Sequence, residues 1–500
     1  MGHSRSSLWR TNTDLPEFPT LVGDVRCDVL VVGAGITGLT TAFELTDRGF
    51  DVIVLEANRL LAGTTGGTTA KLTSQHGLIY DQLETRYGRK LAGQYADANA
   101  AGIETVASIS DGLDVDPTFE RRPAYVYAES ESDRAAIERE ARSARALDLP
   151  ATVIDDVDAP VDAAVALRFD EQAQFHPGTY VAGLAGALRD RGCQIYERTR
   201  ATGLDAGDPC RVRTERGQVT ADHVVAASLF PFSDRGGYFA RMHPSRAYLL
   251  TVKLAAPGPT GMYYDKGGST TFRSCTIDGR DLLIVGGLSH KCHERDPVPA
   301  HRYERCEAFA REHFPVESVL HRWSAHDYVT HDRVPYIGSI GPISPNTYVA
   351  TGFNKWGLTA GTAAGKIVSG LIEAGSHPWA EVFDPMRLGR IGGLRSIKEN
   401  AMVGRRFVGD WVKGLINTDI PEHGSATVIR RRGRPLAVYR DEDGTCTAVS
   451  AVCTHMWCLV EWNDVDRTWD CPCHGSRFDV EGTVLNGPAN RPLEEIDLDE

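Results

Sequence analysis

The stretch CDVLVVGAGITGLTTAFELTDRGFDVIVLEA changes its hydrophobic period twice. An apolar, β-branched run yields at glycines to apolar residues at helical spacing (Ile36, Leu39, Ala42, Phe43, Leu45), and then to a second strand-like run, DVIVLE. Strand, helix and strand in that order predict a βαβ unit and so a parallel sheet. Further on, ESDRAAIEREARSARAL has the charge density of an exposed helix. The runs AYVYA, SRAYLLTVKL, TTFRS and DLLIVGG, separated by Gly, Asp and Pro turns, predict a mainly antiparallel second domain inserted in the first. YVATGFNKWGLTAGTAAGKIVSGLI returns to a strand and a small-residue helix, RIGGLRSIKENAMVGRRFVGDWVKGL reads as a basic connection, and from Asp419 onward short strands and turns follow.

Composition narrows the class. With 500 residues, 42% hydrophobic and 24% charged, the chain has room for two or three domains. A net charge of -13 argues against nucleic acid or an anionic membrane as partner. The opening MGHSRSSLWRTNTDLPEFPT has no apolar core, and no window approaches the roughly 20 apolar residues of a membrane span. A cytoplasmic protein without a membrane span is therefore expected. Seven of the eleven cysteines (Cys27, Cys193, Cys210, Cys275, Cys292, Cys306, Cys446) are scattered without a pairing pattern, as for reduced thiols.

In VVGAGITG the glycines are Gly33, Gly35 and Gly38, and Glu56 closes the second strand. Gly33 allows a tight turn, Gly35 lets a pyrophosphate approach the backbone, Gly38 lets helix and strand pack closely, and Glu56 accepts from a ribose hydroxyl. The helix N-terminus adds amide donors and partial positive charge. NAD and FAD share this fingerprint.

From about Val22 to Gly375 the chain resembles the D-amino-acid oxidase and glycine oxidase superfamily of FAD enzymes. The likeness is carried by VVGAGITGLTTAFEL with VIVLEA, by AGTTGGTTAKLTSQHG, and by HDRVPYIG with YVATGFNKWGLTAGTAAGKI. In that superfamily the second block runs beside the flavin and the third wraps its pyrimidine end. The resemblance implies flavin contacts at Thr65, Gly66, Gly67, Thr68, Asp332, Gly352, Lys355, Gly357 and Leu358. A glycine turn entering a helix near Leu358 would also aim amide donors at a reduced, negatively charged flavin, and Lys355 would add to that unless it is a solvated surface lysine. Gly67 stands where one group of relatives attaches FAD through histidine, and GFNKWG has no cysteine, so non-covalent FAD is expected, with His76 the one nearby residue able to attach it.

One departure bears on substrate. Glycine-oxidase-like members carry an arginine that holds the substrate carboxylate, whereas the aligned stretch here, WSAHDYVTHD, places Asp327 at that point. A carboxylate attracts a cation, which points to an amine substrate; alternatively Asp327 pairs internally with Arg333 or another base. Arg273 in TTFRS and His290 in GGLSHK are candidates for the substrate side, and Tyr125, Tyr127 and Tyr248 read as packing.

The segment CTHMWCLVEWNDVDRTWDCPCHGSRF gathers four cysteines and two histidines. Cys453 with His455, then Cys471 with His474, form a two-plus-two ligand set that suits zinc or a mixed-ligand iron cluster. CTHMWC and CPCHGSRF resemble the Rieske 2Fe-2S domain over about Asp419 to Glu500, in which two cysteines hold one iron and two histidines the other. LNGPANRPL, with Gly487 and Pro488, matches that family's loop over the cluster. The resemblance extends to the cytochrome bc type: it implies a Cys458–Cys473 disulfide and a hydrogen bond from Ser476 to cluster sulfur, with Phe478 where that type has a tyrosine.

The expected fold class is an α/β FAD-binding Rossmann-like domain with an inserted antiparallel-sheet substrate domain, plus a C-terminal all-β Rieske domain. FAD-binding parts are expected at 22–110, 166–235 and 326–385, substrate parts at 111–165 and 236–325, a linker at 386–418 and the Rieske domain at 419–500. The expected activity is an FAD-dependent dehydrogenase of a small amine or amino acid, relaying electrons singly through the cluster to an external acceptor. Asp327, Lys355, Arg273 and His290 are its candidate catalytic side chains, with no general base named. An oxygen-using amine oxidase, a flavin reductase fed through the cluster and a redox sensor remain as other readings.

Overall fold

A computed structural model of the chain describes residues 4–292, 294, 300–342, 344–387 and 418–498. The opening pattern forms β1 (Val25–Val32), α1 (Ile36–Asp47) and β2 (Val52–Leu55). β1 lies parallel between β2 and the strand Gln218–Ala226, and Gln194–Tyr196 continues the parallel order beyond β2. Thr347–Thr351 joins the other flank of Gln218–Ala226, also parallel, within an eight-stranded sheet. The second half of β1 and all of β2 are buried, as a parallel sheet covered on both faces requires.

A second eight-stranded sheet is built mainly from hairpins around β3 (Met242–Leu254), which pairs antiparallel with Arg280–Lys291 on one side and β4 (Val316–Thr330) on the other. Ala124–Ala128 enters it parallel to Met262–Asp265, and Val165–Phe169 adds antiparallel to Ala124–Ala128. Tyr125 and Tyr127 lie in this sheet's apolar core with Tyr263 and Phe272, and Tyr248 is buried against His290. The boundaries expected at 165 and 325 fall inside Val165–Phe169 and β4, because both strands run on to complete the sheet.

The small-residue helix α2 (Gly357–Ala374) packs on α1. Its glycines permit that approach: a Cβ on Gly361 would stand 2.3 Å from Thr37 Oγ1. The charged helix Arg134–Ala146 is exposed on one side only. Its Glu140 is buried and accepts from the amides of Ile79, Tyr80 and Asp81, capping the helix Tyr80–Tyr87.

Positions 388–417 of the expected linker lie outside the described residues. Beyond them, a three-stranded sheet (Ala426–Arg431, Arg434–Arg440, Cys446–Ser450) and a four-stranded one (Glu461–Asn463, Thr468–Asp470, Arg477–Phe478, Val484–Asn486) form the last domain. No described helix is long and apolar enough to cross a membrane.

Candidate functional site

The glycine turn is built as its spacing predicts. Gly33 has φ +111°, and a Cβ there would meet Ala227 O at 2.5 Å; one on Gly38 would meet Gly33 O at 1.8 Å. Ile36, the first residue of α1, donates its amide to Thr65 Oγ1. Glu56 is half-buried: it accepts from Ala34 N and Asn58 N, and burial raises its carboxyl above the ordinary value. A long cavity runs past Gly33, Gly35, Thr37 and Glu56 to Thr65, Gly67 and Thr68, and on to Asp327, Lys355, Gly357 and Leu358. These residues fit FAD, with pyrophosphate against the glycine turn and ribose against Glu56.

The chain's first described residues, which the pattern of strands and helices did not connect to this site, strap the loop beside the cavity. Ser7 Oγ donates to Gly66 O, Trp9 Nε1 to Thr68 O at 2.7 Å and Arg10 Nε to Leu61 O at 2.8 Å. Trp9 is buried, whereas Gly66 lies against Leu61 O so closely that only glycine fits. Lys71, at the end of the same loop, is also in the cavity wall. Its buried ammonium donates to Tyr263 O and Thr271 Oγ1, and burial, followed by the charge of Arg273, pulls it well below its usual range. Its signal in the sequence, one lysine in a threonine-rich loop, is too slight to read alone.

Asp327 and Lys355 come together in the cavity wall, although not as a substrate clamp. One Asp327 oxygen accepts from Tyr328 N at 2.8 Å and the other from Lys355 N. Asn354 and Lys355 both have positive φ, +55° and +73°, a strained pair that Asp327 and the Thr330 N–H to Asn354 Oδ1 bond hold in place. Burial, only partly opposed by the two amides and Lys355, pushes the Asp327 carboxyl up to about 6, and burial brings Lys355 down to about 8. Asp327 is thus tied to backbone amides and Lys355, and Arg333 is not among its partners.

Six of the residues expected at the flavin or the substrate lie off the cavity wall: Gly38 and Gly66, described above, with Asp332, Gly352, Arg273 and His290. Asp332 is ion-paired at 2.8 Å with Arg387, both fully buried, and accepts from Val334 N. Gly352 makes a turn with φ +70°, where a Cβ would strike Thr330. Arg273 is spent on Thr69 O and Phe175 O and lies over the Trp9 ring. His290 stacks on Tyr248 at 5.8 Å. His76 engages Tyr95 Oη, Thr73 O and Thr359 Oγ1 and stacks on Trp356, so its ring nitrogens are occupied within the protein.

In the last domain, Cys453 and Cys471 are buried side by side, and the rings of His455 and His474 stand 5.0 Å apart at 87°. Among the described residues His455 Nδ1 and His474 Nδ1 are buried without a hydrogen-bond partner, and burial lowers these imidazoles to about 4 and about 3, the neutral form that binds metal. Two thiols and two such imidazoles fit a 2Fe-2S cluster. Cys458 and Cys473 form a disulfide; their sulfurs are near Cys471 Sγ but, being oxidised, are no thiolate ligands. Ser476 is fully buried beside Cys453, its Oγ accepting from Ala489 N at 3.0 Å.

The two centres meet within one chain. Leu485 to Asn490, the loop beside the cluster ligands, lines the same cavity as Gly33. Tyr328 Oη donates to His474 O at 2.8 Å and Gly487 O at 3.2 Å; Phe230 packs edge-on against His455, and Phe239 against His474. Buried Arg246 pairs with Asp470, Arg477 pairs with Asp466 and Asp470, and Ser324 Oγ donates to Asp466. Although burial opposes it, these guanidinium groups hold Asp470 well below the usual carboxylate range.

Comparison with known proteins agrees with both centres. Residues 28–371 match the model of the family described as FAD dependent oxidoreductase, and residues 410–497 that of the Rieske [2Fe-2S] domain. The chain is 38% identical over 498 residues to the Rieske 2Fe-2S iron-sulfur protein YhfW of Bacillus subtilis, covering 99% of this chain and 98% of that protein. It is 27% identical over 401 residues to gamma-glutamylputrescine oxidoreductase of Escherichia coli, covering 76% of this chain and 91% of that one. Among solved structures, L-proline dehydrogenase from P. horikoshii superposes with a TM-score of 0.61 at 18% identity, over 75% of this chain and 99% of that chain.

Proposed function

The chain belongs to the FAD dependent oxidoreductase family and carries a Rieske [2Fe-2S] domain, and from that premise we propose that it is a dehydrogenase of a small amine or amino acid that passes electrons singly to an external acceptor. One observation supports this reading: a single cavity is lined both by the glycine turn and by the cluster loop Leu485 to Asn490. When bound, FAD accepts hydride from a C–H beside nitrogen and the 2Fe-2S cluster accepts one electron at a time.

The protein's own part is placement. Gly33, Gly38 and Glu56 shape the dinucleotide cradle, and the strap of Ser7, Trp9 and Arg10 fixes the loop along its side. Asp327 pins the Asn354 and Lys355 backbone, which sets the entry to α2 and its amide donors. Tyr264, Thr271, Gly287 and Lys71 line the part of the cavity under the second sheet, where a small substrate has room. The relatives named for gamma-glutamylputrescine and L-proline support a nitrogen-bearing substrate. A cytoplasmic location fits the seven scattered cysteines, all free.

The test is anaerobic titration of the loaded protein with primary, secondary and cyclic amines and amino acids, reading flavin absorbance and the electron paramagnetic resonance of the cluster. Flavin bleaching followed by a Rieske signal is expected. Bleaching with a persistently silent cluster would contradict the relay and favour direct use of oxygen.

A further inference from the structure

The geometry points to His326 as the side chain that couples the flavin cavity to the cluster, an inference that rests on the relay reading above. His326 lies on β4, one residue before Asp327, and is 4% exposed. His326 borders the flavin cavity and also a second cavity walled by Asp464, Asp466, Thr468 and Arg477 of the Rieske domain. It therefore stands in the partition between the two centres.

Contacts on both sides make the position specific. Thr64 Oγ1, in the loop beside the flavin cavity, donates to His326 O at 2.8 Å. On the other side the ring's Cε1–Nε2 edge lies against Gly475, the residue after the ligand His474; a Cβ on Gly475 would come within 2.5 Å of His326 Cε1 and 2.7 Å of Nε2. Gly475 has φ +82°, so glycine serves both the turn and the ring's approach. Tyr328, whose ring is 5.2 Å from that of His326, holds the carbonyls of His474 and Gly487.

Both ring nitrogens of His326 are buried without a hydrogen-bond partner among the described residues. Leaving a polar group so carries a desolvation penalty, which an apolar side chain of similar size would avoid. A residue serving only to fill the interface would not carry that cost. The unpartnered imidazole is explained if it meets groups that occupy the two sites in the working protein.

The step it serves balances simply. With FAD and cluster bound, each electron passed from the reduced flavin would convert one ferric ion of the cluster to ferrous, the flavin's protons would go to water, and an external one-electron oxidant would restore the cluster. No bond to His326 forms or breaks, so it is a positioning residue, not a chemical reactant.

Protein holding FAD and cluster is illuminated anaerobically with EDTA as electron donor, which reduces the flavin without any substrate. Absorbance follows the flavin, and electron paramagnetic resonance of frozen samples follows the cluster, normalised to the Rieske signal that dithionite produces. His326→Leu is expected to lower the ratio of cluster-reduction to flavin-reduction rate about tenfold or more, as for loss of an outer-shell contact at a metal site. His326→Gln, which keeps a polar side chain at Gly475, retains more of the wild-type ratio. Wild-type ratios in both variants would overturn the role of His326 and leave the relay standing. A cluster that stays oxidised in the wild-type protein while the flavin is reduced would overturn the relay itself.

Discussion

At the scale of single residues, local pattern carried the dinucleotide turn because each glycine's reason is local. Gly33 and Gly38 answer to a turn and to a backbone contact five residues apart, both written in the spacing. Gly38→Ala would push a Cβ onto Gly33 O, and the expected result is protein purified without FAD absorbance. Asp332 and Arg273 were misplaced for the opposite reason: their partners, Arg387 and the carbonyls of Thr69 and Phe175, are 55 or more residues away. Asp327 was found by its position against a missing arginine, but its use as a backbone anchor follows from a loop conformation that no periodicity encodes. Because its folded carboxyl is raised to about 6, the folded state holds the proton more tightly than the unfolded chain. Its contribution is therefore present below pH about 4 and lost as pH rises through about 6. Thermal unfolding of wild type and Asp327→Asn at pH 4 to 7 should show the wild type losing ground with rising pH; a gap constant across that window would refute the assignment.

At the scale of elements, β1, α1, β2 and α2 were legible from hydrophobic period alone, and the second sheet from its turn-bounded runs. The N-terminal strap was not, because a four-residue helix, Leu8–Thr11, has too few positions to show a period. Its weight comes from packing: Trp9 is buried and bonded to the loop beside the cavity. Trp9→Ala should cost about 3–5 kcal/mol in denaturant unfolding and weaken FAD retention, as loss of a buried aromatic normally does. Arg387, placed by sequence at the start of a linker, instead closes the Asp332 turn. Arg387→Met strands a buried carboxylate and should cost about 3–5 kcal/mol, read by the same unfolding measurement.

At the scale of the whole molecule, each domain was legible by its motifs, but their contact was not, since it joins β3 and β4 to a segment more than a hundred residues later. Buried Arg246 and half-buried Asp470, Arg477, Asp466 and Ser324 form a polar network across that contact. Such a network fixes orientation more surely than it adds stability. Arg246→Leu should split the calorimetric unfolding of the two domains into separate transitions. The disulfide predicts that denatured, unreduced protein shows nine free thiols of its eleven cysteines. The FAD-binding and Rieske domains lie in one polypeptide and line a common cavity, so the proposed relay needs no second molecule. The most direct test is the rate of cluster reduction after rapid anaerobic flavin reduction, measured over a wide range of protein concentration. A rate independent of concentration is the expected result; a rate rising in proportion to protein would mean transfer between molecules and contradict the coupling of the two centres within the chain.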